Sequence, residues 1–307
     1  MSAPLVTVSA EEERHLIERV LVRHGVPEAA AQVQATWLLE ADLRGHRSHG
    51  IARLPVLVKR IEAGLIDPVA APELTWRSDA VLVVDGRRGL GPVVAHAALE
   101  EALARVSRAG VVLVAVANAN HLGILAPYVE RAAARGVIAL ALTTSEALVH
   151  PWGGTRAMVG TNPLAVAVPA SPHPLVVDLA TGETSMGRIL HHRDVGEKLQ
   201  PGWALDAHGE PTTDPSAAVG GSISPFGGAK GYALGLVFEV LVATLTASAL
   251  GPDVHGTLDT ESVCNKGDVF LLIDPSFVDG ARVAGDVTQY LSDIRETPPQ
   301  AGVEEVR

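Results

Sequence analysis

Four clusters of side chains carry the types and spacings that could do chemistry. The first is Arg44-Gly45-His46-Arg47-Ser48-His49-Gly50, with Arg53 beyond it. A guanidinium fork holds a carboxylate in a fixed plane better than a lysine does. An imidazole beside it can move a proton near neutral pH. His46 and His49 have an H-x-x-H spacing, but no Glu or third ligand adjoins them, which speaks against zinc. A solvated basic turn is the plainer reading. The second cluster, Asn118-Ala119-Asn120-His121-Leu122-Gly123, follows an apolar run and precedes a helical stretch. That is the carboxyl end of a strand, where α/β sheets place ligands, although His121 could simply cap the next helix.

The third cluster joins Thr143-Thr144-Ser145, His150-Pro151-Trp152-Gly153-Gly154 and Gly160-Thr161-Asn162-Pro163. Backbone N–H groups freed by glycine can cradle phosphate or amide oxygens, and the same composition suits a turn-rich surface loop. The fourth sets Asp178-Leu179-Ala180-Thr181-Gly182 against Gly227-Gly228-Ala229-Lys230-Gly231. An Asp at a strand end can bind ribose hydroxyls. A lysine at a helix start adds to the helix dipole and suits an anion, or is an ordinary surface lysine.

These clusters need elements to position them. Ser9 and Glu12 form a capping box ahead of an apolar stripe, Leu16, Ile17, Val20 and Leu21, that Gly25 and Pro27 end. The pattern predicts a second helix from Pro27 to Leu43 and a third after Gly50 that stops at Gly64. The texture then shifts to short apolar runs: Val81–Val84, Val111–Ala117, Val137–Leu142, Leu164–Val168, Leu175–Val177 and Val269–Ile273. They mostly do not alternate, which predicts strands buried on both faces. Helical stretches Pro92–Arg108 and Ile124–Arg135 lie between them, so a layered α/β domain is expected. Gly182–Gly228 reads as a segment wrapping the surface. Gly231–Gly251 is long and apolar, yet Glu239 stands in its middle; a buried soluble helix is expected rather than a membrane span.

Composition narrows the function. The chain has 307 residues, with 24 Lys plus Arg against 35 Asp plus Glu, a net charge of −11. That balance argues against a nucleic-acid binder, which shows a basic stripe. The single Cys264 excludes a disulfide scaffold and a Cys-rich metal site, and fits a cytoplasmic protein. Met1 to Glu13 lacks an apolar run behind a basic start, so no secretory leader is expected. The G-x-G-x-x-G dinucleotide fingerprint is missing; Gly86, Gly89 and Gly91 fall in the wrong order.

Taken together, Ser48-His49-Gly50 with Arg53-Leu54-Pro55, Asn120-His121-Leu122-Gly123, Pro151-Trp152-Gly153-Gly154, Gly160-Thr161-Asn162-Pro163, Asp178-Leu179-Ala180-Thr181, Gly202-Trp203-Ala204-Leu205-Asp206, Pro211-Thr212-Thr213-Asp214-Pro215 and Gly227-Gly228-Ala229-Lys230-Gly231-Tyr232 resemble the malate/L-lactate dehydrogenase family of the non-Rossmann type. The likeness runs from about Ser9 to Arg307. It implies a three-layer α/β/α fold with a mixed seven-stranded sheet. It also implies an N-terminal helical subdomain (residues 1–75), an NAD(P)-binding domain (76–307) and a homodimer. It implies NADH or NADPH as cofactor and a small carboxylate substrate, a 2-oxo or 2-hydroxy acid or a cyclic ketimine acid. By that resemblance His121 is the general acid/base with His49 close by, and Arg53 clamps the carboxylate. Ser48, His49 and Thr161 line the substrate, while Ser145, Asp178, Leu179, Ala180, Lys230 and Asn265 contact the cofactor.

Three departures stand out. Leu57 occupies a position where the family often has Tyr, which makes the pocket more apolar and suits ketimine reduction. Glu183 places an unexpected charge near the cofactor. Family members normally continue past Arg307 into a Pro-Gly-Glu turn at the cofactor, so the resemblance implies either a truncated tail or a cofactor site finished another way. The alternatives are a catalytically inactive nucleotide-binding homologue and, last, a metal hydrolase using His46 and His49.

Overall fold

The structure is a computed structural model that describes residues 7–278 and 284–306. The chain opens on helices α1 (Ala10–Arg23) and α2 (Glu28–Leu43). Two 3-10 turns, Arg47–His49 and Ile51–Arg53, lead into α3 (Leu54–Glu62). Ser9 and Glu12 make the expected capping box at the start of α1. Next come β1 (Glu73–Ser78), β2 (Val81–Asp85), α4 (Gly91–Ala109), β3 (Val111–Ala117), α5 (Ala126–Ala133), β4 (Ile138–Thr143), β5 (Ala147–Val149), β6 (Val159–Gly160), β7 (Leu164–Val168) and β8 (Leu175–Leu179). Then follow α6 (Met186–Val195), β9 (Ala204–Leu205), β10 (Pro211–Thr212), α7 (Pro215–Val219), β11 (Ser222–Ile223), α8 (Ala229–Thr246), β12 (Asp268–Ile273) and α9 (Ala284–Arg295).

The main sheet has seven strands in the order β1-β2-β3-β12-β4-β7-β8. Only β2 and β3 run parallel; the other neighbours are antiparallel. The sheet is mixed, and its last strand, β12, sits at its centre between β3 and β4. The two-residue side-chain period sorts the faces. Val112, Val114, Val116, Phe270 and Leu272 point with Ala139 and Ala165 into the core under α4 and α5. Each fully buried Val or Leu there contributes roughly 1.5–3 kcal/mol. Leu113, Leu142, Leu164 and Val269 point the other way and meet Val242 and Phe238 of α8. Helices therefore cover both faces, giving three layers.

Several sequence expectations are overturned. Not every strand is buried on both faces: in β8, Leu175, Val177 and Leu179 stay about 40% exposed because α8 does not reach this edge. Nor is α8 a buried helix. Its inward stripe is Gly231, Gly235, Glu239, Val242, Ala243 and Thr246, and Leu236, Val237, Val240 and Leu241 face outward. Gly182–Gly228 does more than wrap the surface. Its β9, β10 and β11 join β5 and β6 in a second, five-stranded sheet, and Val149, Ile189, Leu199, Ala204 and Ile223 give that sheet its own core. Leu57 is buried among Ile17, Leu21, Leu38 and Leu54 in the helical layer, so it fills a core instead of altering a pocket. A cavity of about 630 Å³ opens on α1 and α2, lined by Leu16, Arg19, Arg23, Glu28 and Gln32, and none of the candidate site residues lines it.

Candidate active site

The turn after α2 is fixed from below. Asp42 in the last turn of α2 accepts the Ile51 N–H at 2.5 Å. A Cβ on Gly50 would overlap the Asp42 carboxylate, so only glycine lets the backbone lie this close. His49 and Arg53 flank that contact. The Ser48 hydroxyl lies 3.0 Å from His49 Nδ1. His121 leaves the end of β3 and reaches the same place, its ring centroid 5.3 Å from that of His49 at an interplanar angle of 35°. The first two clusters, over seventy residues apart in sequence, therefore form one group.

Hydrogen bonds assign the state of His121. The Gly123 N–H donates to its Nδ1 at 3.0 Å, so the ring proton sits on Nε2. Burial, followed by the charges of Arg53, His49 and Lys266, holds His121 well below the usual imidazole range. Burial, then Arg53 and His46, push His49 down to about 4. The expectation of an imidazole titrating near neutrality is thus corrected: both rings are neutral, because burial and a nearby guanidinium disfavour a second positive charge.

Arg53 is half-buried, and desolvation pulls its affinity for a proton down while the charge of Glu146 raises it. Its Nη2 donates to the Thr257 carbonyl at 2.7 Å. From the other side Glu146 Oε1 accepts the N–H groups of Thr257 and Leu258 at 2.7 and 2.9 Å. The residue after Ser145 and the proposed clamp thus grip the same turn. Arg60, 2% exposed, ties that turn to the second cluster: it donates to the Asp259 carbonyl at 2.7 Å and to Asn120 Oδ1 at 3.1 Å.

The third and fourth clusters are also stitched together. Ser145 Oγ accepts the Thr161 N–H at 2.9 Å and lies 3.1 Å from Thr161 Oγ1. The Thr161 carbonyl accepts from the Thr181 N–H at 2.7 Å and from the Thr181 hydroxyl at 2.9 Å. Gly235 of α8 lies against Thr181, and Gly187 at the start of α6 lies against Ser48. Glu239, 3% exposed, fastens α8 to this wall. Its carboxylate accepts from Gly160 N at 2.8 Å, from Asn162 Nδ2 at 2.7 Å and from Gly251 N.

Two expected cofactor contacts use their side chains otherwise. Asp178 Oδ2 accepts the Leu125 and Ala126 N–H groups at 2.9 and 2.7 Å and so caps α5. Asn265 closes its own loop, accepting from His255 N and donating to the Asp253 carbonyl. Lys230 is exposed at the start of α8, and Leu179, 41% exposed, ends strand β8 with Ala180 just beyond it. Behind His121 lies a charge pair that the sequence reading missed. Lys266 and Asp268 are 2% and 1% exposed and bonded to each other, and Lys266 Nζ also donates to Thr143 Oγ1 at 3.2 Å. Glu146, Arg60, Glu239 and Asp42 were missed as well. Their only sequence signal was being charged residues inside apolar or glycine-rich stretches.

The donor set fits a dinucleotide. The first N–H groups of α8 have no side-chain cap, Gly227 and Gly228 turn at φ +57 and +65, and Lys230 stands beside them, which suits a pyrophosphate. The Ser145 and Thr161 hydroxyls face the same wall.

The sequence profile of the malate/L-lactate dehydrogenase family matches residues 8–307. A malate/(S)-sulfolactate dehydrogenase of Methanothermus fervidus is 38% identical over 291 residues, covering 94% of this chain and 86% of that protein. A Delta(1)-pyrroline-2-carboxylate/Delta(1)-piperideine-2-carboxylate reductase of Pseudomonas putida is 35% identical over 292 residues, 92% of this chain and 85% of that protein. The solved structure of a dehydrogenase from Sinorhizobium meliloti superposes with a TM-score of 0.94 at 47% identity, covering 98% of this chain and 88% of that one.

Proposed function

The chain belongs to the malate/L-lactate dehydrogenase family, and we propose that it reduces a small 2-oxo acid, or oxidises the matching 2-hydroxy acid, with His121 and Arg53 as the working side chains. The observation that carries this is the pairing of two adjacent, tilted imidazoles with a half-buried guanidinium. The cofactor is NADH or NADPH. Ser145, Lys230 and the backbone of Asp178, Leu179 and Ala180 would hold it. Asn265 would shape that wall through its loop. Bound there, a nicotinamide supplies or takes the hydride at the substrate C2.

The protein's own groups do the rest. Arg53 holds the substrate carboxylate, with Ser48, His49 and Thr161 around it. A bound carboxylate offsets the guanidinium charge that depresses His121, so the imidazole gains proton affinity as the substrate arrives. His121 then takes up a proton from solvent at Nδ1, giving up the Gly123 bond, and the resulting imidazolium donates from Nε2 to the developing C2 oxyanion and returns to a neutral ring, a contribution of roughly 10²- to 10⁴-fold. The Thr257 turn, gripped by Arg53 and Glu146, keeps water from the clamp.

Two further readings belong here. The outward leucines of α8 and the open face of β8 support a homodimer through this surface, since Glu239 at its back makes a lipid-facing role costly. We place the protein in the cytoplasm on its one free, buried Cys264, and divide it at residues 75/76. Cyclic ketimine reduction is the second reading, favoured by the reductase from P. putida. The test is absorbance loss at the nicotinamide band with NADH or NADPH and a panel holding pyruvate, oxaloacetate, sulfopyruvate and piperideine-2-carboxylate. His121→Ala is expected to cut kcat roughly 10²- to 10⁴-fold, and Arg53→Met to raise KM with kcat/KM down roughly 10²- to 10³-fold. Full rates in both variants refute the assignment, and tight NADH binding without turnover on the whole panel supports an inactive homologue.

A further inference from the structure

Asp42 carries the turn that presents His49 and Arg53: it bonds the Ile51 N–H, and the Gly50 backbone rests on its carboxylate. On its other side α1 packs against α2 and brings the Glu13 carboxyl into contact with Asp42. Glu13 Oε1 is buried there with no donor from any other side chain or backbone group among the described residues. Two ionised carboxylates in contact, one with a desolvated oxygen, repel each other. One proton between them turns the repulsion into a charge-assisted O–H···O⁻ bond.

We propose that Glu13 and Asp42 are positioning residues that share one proton, and that this proton holds the Gly50–Arg53 turn where Arg53 can take the substrate carboxylate. The inference rests on Arg53 as the clamp. Burial first, and the charge of Asp42 second, push Glu13 up to about 7, so the proton exchanges in an accessible range. Asp42 faces Glu13 from α2. On α1 itself the neighbouring Glu12 is turned back to the Ser9 cap, and Arg14 follows. His46, Arg47 and His49 come from the turn behind Asp42. Deprotonation drives the two carboxylates apart and loosens the seat beneath Gly50 and Ile51.

Two measurements on the intact enzyme test this. A pH-difference infrared spectrum reads the proton without reference to catalysis. Wild type is expected to show a protonated carboxylic acid that titrates across about pH 7 and is missing in Glu13→Gln. Steady-state kinetics then read its use. In wild type, KM for the best 2-oxo acid rises above about pH 7 toward tenfold per pH unit, with kcat changing less than about twofold. In Glu13→Gln the amide donates to Asp42 at every pH, and KM loses that step. Asp42→Asn keeps an acceptor for Ile51 and donates its own amide to Glu13, so it gives the same flattened profile. His121 titrates in all three proteins, so the difference between them isolates the carboxyl pair. Absence of the infrared signal overturns the shared proton. A signal without a matching KM difference overturns the positioning role. If no panel acid turns over while the signal is present, it is the clamp reading that fails.

Discussion

Replacing Arg53 by Met removes a half-buried cation and a planar fork while keeping a similar unbranched bulk. In the structure one Nη2 bond goes to the Thr257 carbonyl, which leaves the rest of the fork for a ligand. A charged hydrogen bond is worth about 1.5–3 kcal/mol, and a two-pronged contact to a carboxylate draws on two of them. Allowing for the lost Thr257 bond in the free enzyme, the variant should lose about 3–4 kcal/mol of transition-state binding. That is roughly 10²- to 10³-fold in kcat/KM, carried mostly by KM. A second effect separates electrostatics from simple damage. Arg53 is the leading charge that depresses both His49 and His121, so its removal must move the imidazole limb of the pH–rate profile to higher pH. The assay is kcat/KM for the best 2-oxo acid from pH 5 to 9, with thermal melts as a folding control and added guanidinium as a rescue agent. A well-folded Arg53→Met within about threefold of wild type, or with an unmoved limb, refutes the clamp.

Three other outcomes are expected. His49 lies at about 4 in the folded chain against 6.5 in the unfolded one, so the unfolded state binds more protons between those values and stability falls as pH drops through them, by up to about 3 kcal/mol. Glu13 has the opposite sign between 4.5 and about 7, so urea unfolding should compare wild type with His49→Asn. The variant must lose less stability on acidification, and equal losses contradict the burial argument. Glu239→Ala orphans three donors at about 1–3 kcal/mol each, and its urea midpoint should show at least about 3 kcal/mol lost; a neutral change contradicts the network. Val237→Glu with Leu241→Glu places charges on the outward face of α8, and sedimentation should report monomers where wild type reports dimers. An unchanged assembly rules that face out.

The fold was readable in sequence wherever local pattern decides structure. The apolar runs gave six of the main strands, and the stripe and capping box gave α1 within a residue or two. What local pattern cannot hold is partnership. Nothing in Val269–Ile273 says that it pairs with both Val111–Ala117 and Ile138–Thr143. Nothing in an apolar stretch says which side faces out, so the pattern alone implies a buried α8, whereas its small residues and Glu239 point inward and its leucines outward. The reacting groups were legible because imidazoles and arginines are conspicuous beside glycine. Their neutral state was not, because it depends on burial and then on the charge of Arg53, which meet His121 only once the chain is folded. Asp178 shows the same limit. An Asp at a strand end suits a ribose and a helix cap equally, and only the approach of α5 decides between them.

The placement of β12 bears on how the protein is made. Without it the main sheet is two three-stranded ribbons, β1-β2-β3 and β4-β7-β8, each with a bare flank where the centre should be. A ribosome must translate past residue 273 before that gap can close. Until then two long hydrophobic borders are open to strangers, and the keystone they await lies more than a hundred residues downstream of β3 and β4. Folding to the native sheet therefore waits on Asp268–Ile273, and fragments ending before Asp268 should precipitate instead of folding.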